Sequence, residues 1–304
     1  MLKKYNVIGG KLVETEQEDA LLFIFINPDE GEKKHLVDDL KLDDHTLGSA
    51  LDPDELARLE FEPKHAAIIF KRPEPYSHKD EFLFKIASTG AYLFKDRLVI
   101  VISEDVPLFD GIQHIKMATP GYLLLRLIYR SIHHFLGHVK VISAISDELQ
   151  DKINRAMENR YLINLFSLQK SLVYYLNFIN SNGVVLEKLK INAKKIGFST
   201  EELELLDDTL IENNQCYRQA EIYSNILASL MDARASIVSN NLNVLMKTLT
   251  LITITIMVPT FVVSAFSMNV RIPLSNLSYA FWIILGLAAT SVLGIILLWR
   301  RKGW

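Results

Sequence analysis

The stretch NVLMKTLTLITITIMVPTFVVSAFSMN, residues 243–269, decides how the rest of the chain is read. From Thr248 to Val270 it carries no charge, and about 20 apolar residues suffice to cross a bilayer as a helix. It is also richer in hydroxyls than a helix facing only lipid requires: Thr248, Thr250, Thr253, Thr255, Thr260 and Ser264. Stepping alternately four and three residues from Asp232 visits Ser236, Ser239, Asn243, Met246, Thr250, Thr253, Met257, Thr260 and Ser264. A repeat of about 3.5 residues is the seam of helices packed round a common axis. Here the seam is small and polar, which predicts a wet axis inside a membrane. Thr248 and Thr255 lie off the stripe, where their hydroxyls can bond back to the preceding turn.

Ser and Thr also serve as glue between helices in lipid, and the stripe alone does not separate the two readings. The end of the stripe does. Phe266-Ser267-Met268-Asn269 follows Pro259-Thr260 closely, and a second uncharged stretch, Ile272 to Trp299, is closed by Arg300-Arg301-Lys302. This arrangement resembles the CorA family of divalent-cation channels, whose two C-terminal membrane helices carry Gly-Met-Asn at the end of the first. The resemblance covers nearly the whole chain, but the family's glycine is Ser267 here.

The resemblance implies an α+β membrane protein: an N-terminal cytosolic αβ domain, a long helical stalk and two C-terminal transmembrane helices. The expected organisation is an αβ domain over 1–118, an antiparallel helical region over 119–198 and a stalk helix over 199–247. A pore-lining span over 248–269, an external loop over 270–278, a second span over 279–299 and a basic tail over 300–304 follow. The resemblance also implies a homo-pentamer; two helices per chain cannot enclose a pore, so the residues alone require only an oligomer larger than a dimer.

Composition agrees with one soluble region plus an anchor. The 304 residues are 49% hydrophobic with a mean hydropathy of +0.16, too polar for a many-span transporter. The start, Met1-Leu2-Lys3-Lys4-Tyr5, leads into alternating residues and not an apolar signal core. Lys247 precedes the first span and Arg300, Arg301 and Lys302 follow the second, against Arg271 alone between them. By the positive-inside rule both ends are cytoplasmic in a multi-pass protein of the cell (inner) membrane. The single cysteine, Cys216, excludes an internal disulfide, and the net charge of −3 excludes a nucleic-acid partner.

In the N-terminal part, Lys11–Thr15, Leu21–Ile26, Ala66–Lys71, Phe82–Ala87, Ala91–Phe94 and Arg97–Ser103 read as strands. Asp29–Leu40 and Thr46–Phe61 read as helices, with Pro28 and Pro53 near their starts. No phosphate loop, nucleophile elbow or His-Glu-x-x-His motif occurs, so no enzyme and no organic cofactor are expected. From Thr119 the chain reads as helix. One helix reaches about Met157, a second runs from Arg160 to Asn180 and stops at Ser181-Asn182-Gly183, and a shorter one covers Val184–Lys195. After Gly197, Ser199-Thr200-Glu201-Glu202 is a capping box. Nothing from there to Phe266 forbids a single helix of ~68 residues, roughly 100 Å at 1.5 Å per residue.

Two further clusters invite a metal. His134 and His138, with His133 beside them, have i, i+4 spacing, but no ligand follows nearby, and a structural role is the simpler account. Glu201, Glu202 and Glu204 suit the positive end of a helix, whereas Asp207, Asp208 and Glu212 lie beyond its reach. The resemblance implies that stalk acids bind a regulatory metal, which makes Asp207, Asp208 and Asp232 the candidates.

The chemistry expected of the stripe follows from the ion. Mg²⁺ dehydrates reluctantly, and a narrow ring of neutral oxygens can bond its waters without stripping them. Asn269 would form such a ring at the outer mouth beside Ser267 and Met268. Ser264, Thr260, Thr253, Thr250 and Asn243 would repeat it inward, with Met246, Leu249 and Met257 as apolar constrictions that close by dewetting. Arg271 stands where family members often place acids, which argues against electrostatic steering. The readings carried forward are a Mg²⁺ channel, a relative passing Zn²⁺, Co²⁺ or Ni²⁺, and a non-conducting membrane-anchored metal sensor.

Overall fold

A computed structural model describes residues 1–76, 82–109, 115–156, 159–268 and 277–302. The chain divides into two compact units, Met1–Met231 and Asp232–Trp304.

Among the described residues the first unit holds seven strands: β1 (Leu2–Ile8), β2 (Lys11–Glu14), β3 (Leu22–Ile26), β4 (Arg58–Phe61), β5 (Ala66–Pro73), β6 (Ile86–Leu93) and β7 (Leu98–Ile102). They form one sheet in the order β2-β1-β3-β7-β6-β5-β4, antiparallel throughout except for β3 beside β7. Helices cover both faces, which is why the central strands are almost unbroken apolar runs. Alternation still sorts them. Leu22, Ile24, Ile68, Phe70, Leu98 and Ile100 join the core shared with the long helices α3 (Pro120–Ala156) and α4 (Asn159–Ile191). Phe23, Phe25, Ala67, Tyr92, Val99 and Val101 pack instead with residues of α1 (Glu30–Asp38) and α2 (Asp44–Leu51). A single-turn α5 (Ala193–Ile196) ends at Gly197 in the left-handed conformation, φ 86°, where glycine is unpenalised. The first part of α6 (Thr200–Phe266) buries Leu206, Cys216, Ala220 and Leu227 in the α3/α4 core.

Four local expectations are corrected. The helix expected over Thr46–Phe61 ends at Leu51, because Asp52 before Pro53 is extended at ψ 117°, as the residue preceding proline prefers. Pro53 therefore follows a helix, and Arg58–Phe61 forms edge strand β4 paired to β5. The strands expected at Phe82–Ala87 and Ala91–Phe94 are one strand, β6, running through Ser88-Thr89-Gly90. Gly90 marks close approach and not a turn: a Cβ there would lie 2.5 Å from the Ala50 Cβ of α2. Leu2–Ile8, expected only as alternating residues, is strand β1.

The fourth correction concerns Ser181-Asn182-Gly183, which does not stop α4. These residues are held by other elements. Ser181 Oγ accepts the Ala57 N–H at 2.8 Å, Asn182 bonds the backbone of Lys71, and a Cβ on Gly183 would lie 2.9 Å from Asn213 Nδ2. By contrast the helix starts follow the sequence. Ser199 and Glu202 close the capping box reciprocally at 3.2 and 2.8 Å. The seven-residue apolar face of α3, from Leu124 to Ile153, is buried throughout.

Candidate ion-conduction site

The second unit consists of the remainder of α6 and α7 (Ala280–Lys302). Both helices are long and apolar enough to cross a membrane. Exposed aromatic residues stand at the two ends of α7, Tyr279, Phe281 and Trp282 at one and Trp299 at the other, as in the belts at membrane interfaces. Sequence reading missed these although their spacing signals them.

From Leu251 onward the half-buried residues of α6 are Leu251, Thr255, Pro259, Val262, Ala265 and Phe266, one stripe of helical spacing. On α7 they are Ala280, Ile283, Ile284, Ser291, Val292, Gly294 and Ile295, with Ala288 buried among them. Val263, Phe266 and Ser267 share a cleft with Phe281, Ile284 and Leu285. The polar stripe is elsewhere. Asn243, Met246, Leu249, Thr250, Thr253, Met257, Thr260 and Ser264 are all exposed, and at 3.6 residues per turn their mean direction is roughly 165° from that of the half-buried stripe. One chain thus leaves these residues as an unpartnered face of α6, away from α7.

Two of their hydroxyls are oriented. Thr253 Oγ1 donates to the Leu249 carbonyl at 2.9 Å and Thr260 Oγ1 to the Ile256 carbonyl at 2.6 Å. Off the stripe, Thr248 and Thr255 bond back four residues in the same way. A threonine whose proton is engaged within its own helix offers the outside only lone pairs. At these two positions the face accepts hydrogen bonds and does not donate them, which suits the outward-pointing protons of a hydrated cation. At the end of α6, Ser267 donates from Oγ to the Ser264 carbonyl at 3.0 Å, and its N–H reaches the same atom at 3.1 Å. The residue standing in the family's glycine position therefore gives that helix carbonyl a second donor beside its own backbone N–H. Met268 is exposed. Asn269 and Arg271 lie outside the described residues.

The candidate regulatory acids are not gathered. Asp207 pairs with Lys190 of α4 at 2.9 Å, both side chains about half exposed. Asp208 is exposed, and Asp232 belongs to the other unit. Among the described residues no group of three or more His, Cys, Asp or Glu could hold a metal within one chain. Glu202 is structural: besides its cap it accepts the Thr119 hydroxyl at 2.6 Å, tying α6 to the start of α3. The histidines divide similarly. His138 is buried, with Nδ1 2.7 Å from the Tyr175 hydroxyl, and burial with His134 beside it lowers its pKa to about 4. His133 packs edge-on against Tyr129, ring centroids 4.6 Å apart.

The chain matches the family described as CorA-like Mg²⁺ transporter protein over residues 18–301. It belongs to that family. The cobalt/magnesium transport protein CorA of Methanocaldococcus jannaschii is 27% identical over 321 residues, 99% of this chain and 97% of the relative. The complete structure of the CorA magnesium transporter from that organism superposes with a TM-score of 0.86 at 22% identity, over 100% of this chain and 98% of the other. The full-length CmaX protein matches with a TM-score of 0.65 at 15% identity, over 100% and 97%. This CorA-family chain is accordingly a membrane protein of metal-ion transport, with a soluble N-terminal αβ domain, a long helix and two C-terminal apolar helices. The family's proteins are transporters and not enzymes.

Proposed function

We infer that the protein is a channel for divalent cations, that Mg²⁺ is its principal ion, and that the ion moves down its electrochemical gradient into the cell. The observation that carries the reading is the exposed polar face of α6, on which Thr253 and Thr260 turn only acceptor lone pairs outward. In an oligomer, for which the family suggests a pentamer, these faces would converge on one axis with α7 outside them.

Mg²⁺ keeps its waters, so the rings would bind the hydrated ion by accepting protons from those waters. Asn269 would form the outer ring, and Thr260, Thr253, Thr250 and Asn243 would repeat the contact inward. Met246, Leu249 and Met257 would narrow and dewet the path when closed. The membrane is the cell's inner membrane with both termini cytoplasmic, as the placement of Lys247, Arg300 and Arg301 supports. A stalk site including Asp207 and Asp208, completed by a neighbouring subunit, would sense the cytosolic ion.

Co²⁺ is the second candidate cargo, because the relative's name couples cobalt with magnesium. Flux into liposomes, measured cation by cation with the purified protein, tests the reading. Mg²⁺ should enter, and Asn269→Ala should abolish entry while the oligomer still assembles. A protein that admits no divalent cation is a sensor and not a channel; undiminished flux through the variant removes Asn269 from the filter.

A further inference from the structure

Where the end of β5 meets α3 in the first unit, a half-open cavity of about 110 Å³ gathers cationic side chains. Arg72, Arg130, Ser131 and His134 line it over apolar walls that include Leu108 and Leu127, and among the described residues no carboxylate lines it. Arg72 is 6% exposed, and its Nε and Nη2 find no acceptor among the described residues. A buried guanidinium with idle donors is expensive to keep, and a native fold that retains one calls for an explanation. Burial disfavours the charged form of Arg72 and outweighs Glu104 and Glu74, which favour it from outside the cavity. Partial burial, then Arg130 and Arg72, hold the His134 pKa below its ordinary value, although the ring keeps an exposed edge. Ser131 gives its proton to the Lys71 carbonyl at 3.0 Å. The groups able to donate to a ligand are therefore the two guanidiniums and the imidazole.

We propose that this cavity binds a small oxyanion of the phosphate type, held by Arg72 and Arg130 and closed on one side by His134. Guanidinium forks match the paired oxygens of such an anion, and the apolar walls strengthen the contact by excluding water. The space has room for a tetrahedral oxyanion. A phosphate ester would leave its remainder outside. Nothing in this inference depends on which cation the membrane helices pass.

The full-length protein in detergent, in a chloride buffer, can be titrated calorimetrically with sulfate, inorganic phosphate and ATP. Sulfate and phosphate should bind saturably, one per chain. Arg72→Gln and, separately, the half-buried Arg130→Gln should each weaken sulfate by about tenfold to a hundredfold, the loss of one charge-assisted contact. Because sulfate keeps its charge across this range, its binding should tighten on mild acidification as His134 takes a proton, and His134→Gln should flatten that dependence. ATP binding tighter than phosphate, and weakened in parallel by Arg130→Gln, would identify an ester; equal or weaker ATP binding would identify the free ion. Absence of saturable sulfate and phosphate binding by the wild type would overturn the proposal. So would unchanged affinity in Arg130→Gln together with a folded Arg72→Gln.

Discussion

Asn182 of α4 acts as a substitute strand for Lys71 of β5. Its Oδ1 accepts the Lys71 N–H and its Nδ2 donates to the Lys71 carbonyl, both at 2.8 Å. β4 pairs with β5 only from Ala66 to Ile69, so beyond that point one side of β5 has no neighbouring strand, and the amide of a helix supplies the missing ladder. In Asn182→Ala the Lys71 carbonyl keeps the Ser131 hydroxyl while the N–H is orphaned. The expected loss is about 1–3 kcal/mol, read as a lower thermal or denaturant midpoint of the purified protein. An unchanged midpoint would show that water replaces the amide at no cost.

His138 should make the first unit sensitive to acid. Its folded pKa of about 4 lies below the ordinary imidazole value of 6.5, so between these values the unfolded chain binds the proton more readily. The contribution is complete above about pH 6.5 and is lost as pH falls through 6.5 toward 4, up to about 3 kcal/mol. His138→Gln keeps a partner for the Tyr175 hydroxyl but cannot titrate. Its stability, followed by denaturant unfolding across that window, should fall less steeply with acid than the wild type. Parallel profiles would assign the acid sensitivity elsewhere.

Particular residues show why some of this was legible in the chain and some was not. The capping box at Ser199 and Glu202 and the apolar face of α3 are local patterns, and local geometry fulfils them. Ser181, Asn182, Gly183 and Gly90 have the composition of turns, yet each is where it is because another element approaches it, a tertiary cause with no local sign. The same holds for Arg72, which reads in sequence as one basic residue beside another. Only the packing of α3 over β5 reveals that it is buried with idle donors. The polar stripe was legible because its repeat is regular, whereas what it faces depends on chains other than this one.

The stripe can be mapped chemically. In a Cys216→Ser background, cysteines at Thr250, Thr253, Met257, Thr260 and Ser264 should react with small water-soluble thiol reagents in the reconstituted oligomer. Cysteines at Leu251, Thr255, Val262 and Phe266, on the half-buried side, should be protected, as should those at Ile252 and Ile254. Labelling should therefore rise and fall with a three-and-four period along α6. A flat profile would leave the hydroxyls as glue between helices and remove the argument for a water-filled axis.

Control by cytosolic metal can be tested through the ion pair that Asp207 already makes. Lys190 sits 2.9 Å from Asp207, so a cation binding at Asp207 and Asp208 must compete with an ammonium group, and occupancy favours whichever channel state presents the acids to a second subunit. Replacing both aspartates with Asn removes the charge at nearly constant size. Mg²⁺ should then protect the stalk less from proteolysis, and influx should persist to higher internal Mg²⁺. Lys190→Ala should act oppositely: with its competitor gone, Asp207 should bind metal at lower concentration, and both protection and shut-off should shift to lower Mg²⁺. Opposite shifts from the two changes are hard to obtain from a general loss of stability, which would move both variants the same way. If neither variant alters protection or shut-off, the acids are a solvated start to α6 and any regulation lies elsewhere.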